Sequence, residues 1–397
     1  MAVLISCMKS RPDTLATAVE SFLPALNAKV KLPAHTLRCL DAIQKCRTPY
    51  MGGHVEACNS CGEVRTAYNS CCNRHCPQCG AIEKEKWIMA READLLPVKY
   101  FHVVFTVPDK LNEMFLHHKA LMYNLLFTTV WDVMKGFGGN DRWAGGKMGM
   151  TAILHTWGQN LRYHPHLHLI VPAGVLLPNG KWKHARSRGK YLFPVKALSD
   201  VFRSKFVAAL RQHRKNGLLS LPLPQGLFAK PWVVFAKRPF GGPEQVIKYL
   251  GRYTHRTAIS NDRILSVDGE SVTFSWKDYR KNSKKQITTL RGDEFLRLFC
   301  QHISPHRFTR IRHYGFLSSA SKKKSLIKIR TSLKVRPPAA MPKDKLWQDI
   351  VFERMGIKPG VCKCCGGKMV VIQNIPNRFR TSTRAPPQKI LPFAKVV

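Results

Sequence analysis

Two histidines separated by one residue and two tyrosines separated by three are the groups from which chemistry can be argued first. In His164-Pro165-His166-Leu167-His168-Leu169-Ile170-Val171 the imidazoles alternate with apolar side chains. A strand turns successive side chains to opposite faces. His166 and His168 therefore point together, while Leu167, Leu169 and Val171 pack behind them into a core. Two imidazoles on a rigid strand are two legs of a metal site, and a third ligand has to come from the adjoining segment. Gln159 and His155 share the parity of Trp157 there, and His164 is a weaker choice. Two imidazoles and an amide oxygen suit Mg2+ or Mn2+ acting on a phosphate, whereas three imidazoles lean toward zinc or another transition metal. Taken alone, His-x-His is a weak signal, because many such pairs are satisfied core or surface histidines.

The tyrosines lie in Val246-Ile-Lys-Tyr249-Leu-Gly-Arg-Tyr253-Thr-His-Arg256. On a helix, Tyr249 and Tyr253 share one face, about 5–6 Å apart at Cβ. Lys248, Arg252 and Arg256 form a second row at the same spacing. Such a row weakens an isolated helix slightly and makes sense facing DNA phosphates. On spacing alone, Val246, Tyr249, Leu250 and Tyr253 read more readily as the buried stripe of an amphipathic helix. The combination shifts the balance: a metal-type histidine pair, paired hydroxyls and a basic helix in a basic chain. A tyrosine hydroxyl has a pKa of about 10 and attacks poorly at neutral pH. A divalent ion on the scissile phosphate would polarise it and offset the charge of the transition state.

The cysteines carry a second chemistry. Cys58-x2-Cys61 and Cys76-x2-Cys79, fourteen residues apart, read as paired knuckles holding one structural zinc. His54, Cys71, Cys72 and His75 lie close enough to replace a ligand or help hold a second ion. Glu63 is the one acid inside the loop, which favours a structural over a catalytic zinc. Cys362, Cys364 and Cys365 make half a site, read evenly as an incomplete knuckle or as surface thiols.

Charge names the partner class. Lys and Arg number 65 against 24 Asp and Glu, a formal net charge of +41, spread from end to end. A folded chain with that excess needs a polyanion to share its field, and nucleic acid is the evident one. Charge does not name the reaction, since an RNA-bound protein would show the same excess. No apolar run approaches the about 20 residues of a spanning helix, and the start at Met1 lacks the basic residues of a secretory signal. With metal-type cysteine spacing, this places the expected protein in a reducing cytoplasm, associated with the nucleoid. No Gly-x4-Gly-Lys-Ser/Thr loop appears, so no nucleotide motor is expected. Acids between residues 100 and 260 are scattered, lending no support to a carboxylate-triad nuclease.

The elements that must position these groups are legible in outline. Residues 1 to about 50 read as a helical lead-in. Helices are expected over 83–95 and 111–134, and strands over 101–107, 150–157, 166–171 and 232–236. A further helix should run from about 243 to 256. Asp268-Gly269 between alternating apolar residues predicts a hairpin over 264–276, and Asp293 caps a helix to about 303. Isolated strands and helices without regular βαβ alternation indicate an α+β fold. The Pro-, Lys- and Arg-rich stretch after about 334 is expected to be partly disordered.

Five segments resemble one known family. They are Tyr68-Asn-Ser-Cys71-Cys-Asn-Arg-His-Cys76-Pro-Gln-Cys79, Leu154 through His168, Tyr249 through Asn261, Phe274 through Arg280 and Arg310 through Phe316. In order and spacing they resemble rolling-circle transposases of the insertion-sequence-91 family, two-tyrosine members of the HUH endonuclease superfamily, from about residue 40 to 320. The resemblance implies an antiparallel HUH-type sheet core with flanking helices and an N-terminal zinc-binding domain. It implies Tyr249 and Tyr253 as nucleophiles, whose attack would leave a 5′-phosphotyrosine and a free 3′-hydroxyl with the bond energy kept for rejoining, and His166 and His168 as ligands of Mg2+ or Mn2+. Gln159 is preferred over His155 as the third ligand, and Cys72 departs from the pattern. The expected organisation is a lead-in and zinc-binding domain (1–95), a nuclease core with the tyrosine helix (96–262), an extension (263–335) and a basic tail (336–397). The expected substrate is single-stranded or hairpin DNA at element ends, with host replication proteins as further candidate partners. The competing readings are a plasmid relaxase or replication initiator of the same chemistry, and a zinc-containing nucleic-acid-binding protein without catalysis.

Overall fold

The computed structural model describes residues 13–186, 192–240, 245–246, 256–278, 282–337 and 347–378. Tyr249, Tyr253, Lys248 and Arg252 lie outside the described residues. Of the helix expected over about 243–256, Gln245 and Val246 are described as helical.

The chain begins with α1 (Leu15–Lys29) and α2 (Ala34–Lys45), followed by the hairpin β1 (Gly53–Cys58) and β2 (Val64–Tyr68). Next come α3 (Ala81–Glu92), β3 (Tyr100–Thr106), α4 (Asn112–His117) and α5 (Lys119–Gly139). The pair β4 (Gly149–Trp157) and β5 (Tyr163–Pro172) leads to a short hairpin, β6 (Gly174–Leu176) and β7 (Trp182–His184). Then follow α6 (Val195–Lys215), β8 (Val234–Phe240), β9 (Ile264–Val267), β10 (Ser271–Asp278) and β11 (Lys284–Arg291). The described chain ends with α7 (Gly292–Gln301), β12 (Ile311–Gly315), α8 (Lys322–Ser332), α9 (Trp347–Met355) and β13 (Met369–Ile375).

The centre is a five-stranded antiparallel sheet in the order β12-β4-β5-β3-β8. Its two faces are divided by residue parity. Val103 and Phe105 of β3, Leu154 of β4 and Leu167, Leu169 and Val171 of β5 are buried in one cluster with Phe115 of α4, Phe127 of α5 and Phe202 and Phe206 of α6. Burying such side chains contributes about 1.5–3 kcal/mol each, which fixes the register of β5 and so commits its alternate residues to the other face. On that face Tyr100, Ile153 and Ile170 pack with Val246, Phe316 and Ile329. The fold is α+β, with helices and an antiparallel sheet, as expected.

Contacts between distant residues tie the lead-in, the extension and the tail to other parts of the fold. The lead-in helices share a core with the extension: Phe22 and Leu40 are buried with Phe274, Phe295 and Phe299. Contact is close enough that a Cβ on Gly292 would lie 2.2 Å from the Phe22 ring. The extension is itself divided, because β12 pairs with β4 at the edge of the central sheet. Within the tail expected to be partly disordered, the described residues form α9 and β13, and β13 pairs with the distant strand β1. The hairpin at Asp268-Gly269 forms as read, with Asp268 Oδ1 accepting from the backbone N–H groups of Glu270 and Ser271.

His302, just past α7, ties these cores together. Its Nε2 lies 2.9 Å from the Leu161 carbonyl oxygen and its Nδ1 3.2 Å from Thr156 Oγ1. Burial pushes its pKa down from 6.5 to about 4. Above pH 6.5 the ring is neutral in both folded and unfolded chains. As pH falls below that value the unfolded chain takes a proton that the folded chain resists, so stability declines down to about pH 4. From this residue alone the loss between pH 7 and pH 5 is about 2 kcal/mol. Urea denaturation at the two pH values should show a smaller decline in His302→Gln than in the wild type. Equal declines would remove His302 as a cause.

Candidate functional site

Strand pairing assembles the histidines. On β5, His166 and His168 lie on the face opposite the apolar core, and both are nearly fully buried. In the β4–β5 ladder His155 is the direct partner of His166. Potential ligand atoms of His155, His166 and His168 all lie within 4.8 Å of one another. The His155 ring meets the His168 ring edge-on, with centroids 4.6 Å apart.

Two contacts orient the imidazoles. His166 Nδ1 donates to the His164 carbonyl oxygen at 2.6 Å, which frees Nε2. His168 Nδ1 lies 2.9 Å from Nε2 of His102 on β3, and the rings stack. In the tautomer where His168 Nδ1 donates, its Nε2 carries the lone pair that can ligate. The two Nε2 atoms are 3.1 Å apart. Two nitrogens about 2.1 Å from a shared ion at a right angle would be about 3 Å apart, so the pair fits one metal. Burial is the first cause lowering the pKa of both rings, His166 to about 4, which keeps them neutral and able to ligate at neutral pH.

Gln159, the expected third ligand, lies past the end of β4 in the turn to β5, where its carbonyl accepts from Arg263. It lines the same cleft as the histidines, and His155 is the ring whose ligand atom lies within 4.8 Å of those of His166 and His168. His155 owes its place to register: the residue facing His166 across the ladder has its position set by two backbone strands. His102 was missed altogether. It lies 66 residues from His168 in sequence and becomes its neighbour only because β3 pairs with β5.

The histidines open onto a cleft of about 880 Å3. Asp109, Asn112, Arg162, Arg256 and Trp276 are among its other lining residues. Arg256, expected to bind DNA, therefore faces the metal-type triad, and its charge is one cause lowering the His168 pKa. Val246, ten residues earlier, is fully buried against the same side of the sheet, in the cluster containing Ile153 and Ile170.

The zinc ligands regroup. Cys58, Cys61, Cys76 and Cys79 were expected around one ion, but the structure divides them between two clusters. Cys76 and Cys79 join Cys46 and Cys71, with Cys71 Sγ 3.6 Å from Cys79 Sγ and the Cys71 backbone N–H donating to Cys46 Sγ. Thiolates about 2.3 Å from a tetrahedral zinc are about 3.8 Å apart, so this set fits the ion. Cys58 and Cys61 stand instead with Cys362 and Cys365. The error was to pair knuckles by nearness in sequence, when the end of α2 brings Cys46 to the second knuckle. Cys72 is exposed and outside both clusters. His75 is buried and accepts from the Ser304 N–H, and His54 pairs with Glu56.

Comparison with known proteins gives the family. Residues 18–107 match a family model described as "Transposase zinc-binding domain", and residues 149–325 match one described as "Putative transposase". The chain is 40% identical over 357 residues to "Putative transposase y4qJ" of Sinorhizobium fredii, covering 85% of this chain and 88% of that protein. The chain belongs to the insertion-sequence-91 family of transposases. It is also 28% identical over 349 residues to "Transposase for insertion sequence element IS801" of Pseudomonas savastanoi pv. phaseolicola, covering 82% and 80% of the two chains. No solved structure matches. In this transposase the zinc-binding match takes in all four cysteines of the Cys46 cluster, and the second match takes in the histidine triad. Among the described residues no helix is long and apolar enough to cross a membrane.

Proposed function

We propose that this transposase cuts and rejoins single-stranded DNA at element ends through a phosphotyrosine linkage, in a rolling-circle cycle. His166 and His168, with Gln159 or His155 of the same cleft as third ligand, would hold a divalent ion, Mg2+ or Mn2+, which would polarise the scissile phosphate when bound. Tyr249 or Tyr253 would be the nucleophile. Its oxygen bonds to phosphorus, the 3′ oxygen leaves with the electron pair, and the phenol proton is lost as that oxygen gains one. The observation that carries the reading is the convergence of three buried imidazoles on one face of the cleft. The described residues on either side of the tyrosine segment support it, since Val246 packs on that face and Arg256 lines the cleft. Metal-type clusters among the described residues are built from cysteine or histidine, and none from carboxylates, which disfavours a carboxylate-triad nuclease. Lys248, Arg252 and Arg256 would hold DNA phosphates, and Cys46, Cys71, Cys76 and Cys79 would hold a structural zinc.

The direct test is incubation with single-stranded terminal DNA and Mg2+, followed by denaturing electrophoresis. A covalent protein–DNA adduct is expected. No adduct with either ion on any terminal single strand would overturn the reading. Hairpin or single-stranded ends should be cut in preference to relaxed blunt duplex, because pairing stiffens the strand that must bend to the ion.

His102 supplies a further expectation. His102→Phe keeps a ring behind His168 and removes the nitrogen that orients it. Loss of such a supporting contact commonly weakens a metal site about 10–100-fold. The Mn2+ concentration for half-maximal cleavage should rise by that factor, with the rate largely restored at saturating Mn2+. An unchanged Mn2+ dependence would leave His102 as a packing residue only.

A further inference from the structure

The second cysteine cluster joins two parts of the chain that are about 300 residues apart. Cys58-Asn-Ser-Cys61-Gly62 follows β1, and Cys362-Lys-Cys-Cys365-Gly366 precedes β13. The two turns are built alike. The backbone N–H of Ser60 donates to Cys58 Sγ at 3.4 Å, and that of Cys364 donates to Cys362 Sγ at 3.4 Å. The N–H of Gly62 reaches the Cys58 carbonyl oxygen at 3.1 Å, and that of Gly366 reaches the Cys362 carbonyl oxygen at 3.1 Å. Each turn closes with a 2.8 Å bond, from Cys58 N–H to the Glu63 oxygen and from Cys362 N–H to the Gly367 oxygen. Each second cysteine is followed by a glycine in the left-handed region, Gly62 at φ +75° and Gly366 at φ +77°. Such a repeated turn aims two thiols to one side, and its N–H groups suit sulfur that carries negative charge.

The turns face each other. Cys58 Sγ is 3.5 Å from Cys365 Sγ, and Cys61 Sγ is 3.7 Å from Cys362 Sγ. All four sulfurs lie within 4.8 Å of one another. A disulfide would need about 2.0 Å, whereas tetrahedral zinc thiolates stand about 3.8 Å apart. Among the described residues β13 is held mainly by backbone hydrogen bonds, to β1 along one edge and, at its ends, between Lys368 and Asn59 and between Arg378 and Tyr50. Apolar burial is slight there: Val370, Val371 and Ile372 are exposed, and the buried cluster beneath the strand is Cys58, Cys362 and Met369. A small sheet with so little buried apolar surface is marginal in water.

We propose that Cys58, Cys61, Cys362 and Cys365 bind a second zinc ion, which fastens β13 to the amino-terminal zinc-binding domain. Neither family match extends to Cys362. The ion supplies at this junction the folding energy that the three-residue core lacks, so docking of the segment around Cys362 to Ile375 depends on metal. The site is separate from the histidine cleft, and its test does not use DNA cleavage.

Cobalt substitution of the full-length protein counts thiolate ligands, because Co2+ bound to sulfur shows charge-transfer absorption that Co2+ on imidazoles lacks. The wild type should show twice the band of Cys362→Ser/Cys365→Ser, and twice that of Cys46→Ser/Cys76→Ser. Hydrogen exchange in the Cys362→Ser/Cys365→Ser protein should lose protection over β13 while β4 and β5 keep theirs. Cys365→His retains a ligand type that zinc accepts, so β13 should stay protected and the metal count unchanged; this variant keeps the test valid if the double serine variant misfolds. A thiolate band equal in wild type and Cys362→Ser/Cys365→Ser would overturn the proposal. So would loss of the metal and of β13 protection in Cys365→His, or Cys58–Cys365 and Cys61–Cys362 disulfides in place of metal in freshly purified protein.

Discussion

Replacing His166 or His168 with alanine should reduce adduct formation at least about a thousand-fold while single-stranded DNA still binds within a few-fold of wild type. Each imidazole offers one of two Nε2 atoms 3.1 Å apart, so its loss halves the converging pair. An ion that stabilises a phosphoryl transition state contributes several kcal/mol, and about 4 kcal/mol corresponds to a factor of about a thousand in rate. Affinity rests elsewhere, on a chain with 65 Lys and Arg whose contacts to phosphate release counterions. Single-turnover cleavage and a binding titration at one salt concentration measure the two quantities separately. Both histidines are buried, so far-ultraviolet circular dichroism should accompany the rates to confirm that each variant folds. Near-wild-type cleavage by either variant at limiting Mg2+ would end the case for the triad.

The second large effect concerns the tyrosines. Tyr249→Phe/Tyr253→Phe should form no covalent adduct, while either single variant still cleaves a short oligonucleotide and fails to complete transposition. A rolling-circle cycle requires a second cut while the first strand is still covalently held. The four-residue spacing of Tyr249 and Tyr253 is the one that, on a helix, would let two hydroxyls serve one phosphate position in succession. Phenylalanine retains the ring and removes only the hydroxyl, so a cavity cannot account for the loss. An adduct from the double variant would place the nucleophile elsewhere. Normal transposition by both single variants would remove the need for alternation while leaving the metal chemistry intact.

What could be read from the sequence was local. The alternation around His166 and His168 was enough to give their shared face, because burial of Leu167 and Leu169 leaves a strand no second choice. Asp268-Gly269 announced its hairpin through the turn geometry those residues favour. What could not be read depended on which distant segments meet. His155 gains its place opposite His166 from ladder register, and His102 its place beside His168 from strand order. Cys46 is a lone cysteine at the end of a helix, without a spacing motif to mark it. Cys58 and Cys61 looked complete with the next knuckle along, although their sulfurs meet Cys362 and Cys365. The motif Arg310 through Phe316 carried the family resemblance without revealing that Ile311–Gly315 is an edge strand of the central sheet.

That edge strand has a consequence for how the molecule is made. The strand bearing His155 ends at Trp157, but its outer partner begins only at Ile311. At synthesis rates of about 5–20 residues per second, β4 waits on the order of ten seconds after leaving the ribosome before β12 exists to cover its open edge. During that interval the nascent chain exposes an unpaired strand beside the histidine face, a template for pairing with another chain. Nascent chains arrested between residues 160 and 310 should therefore aggregate or recruit chaperones, and those released after residue 315 should do so much less. A nonsense mutation late in the gene, but ahead of Ile311, would remove both the sheet edge and a soluble product, even though every histidine of the triad had already been translated.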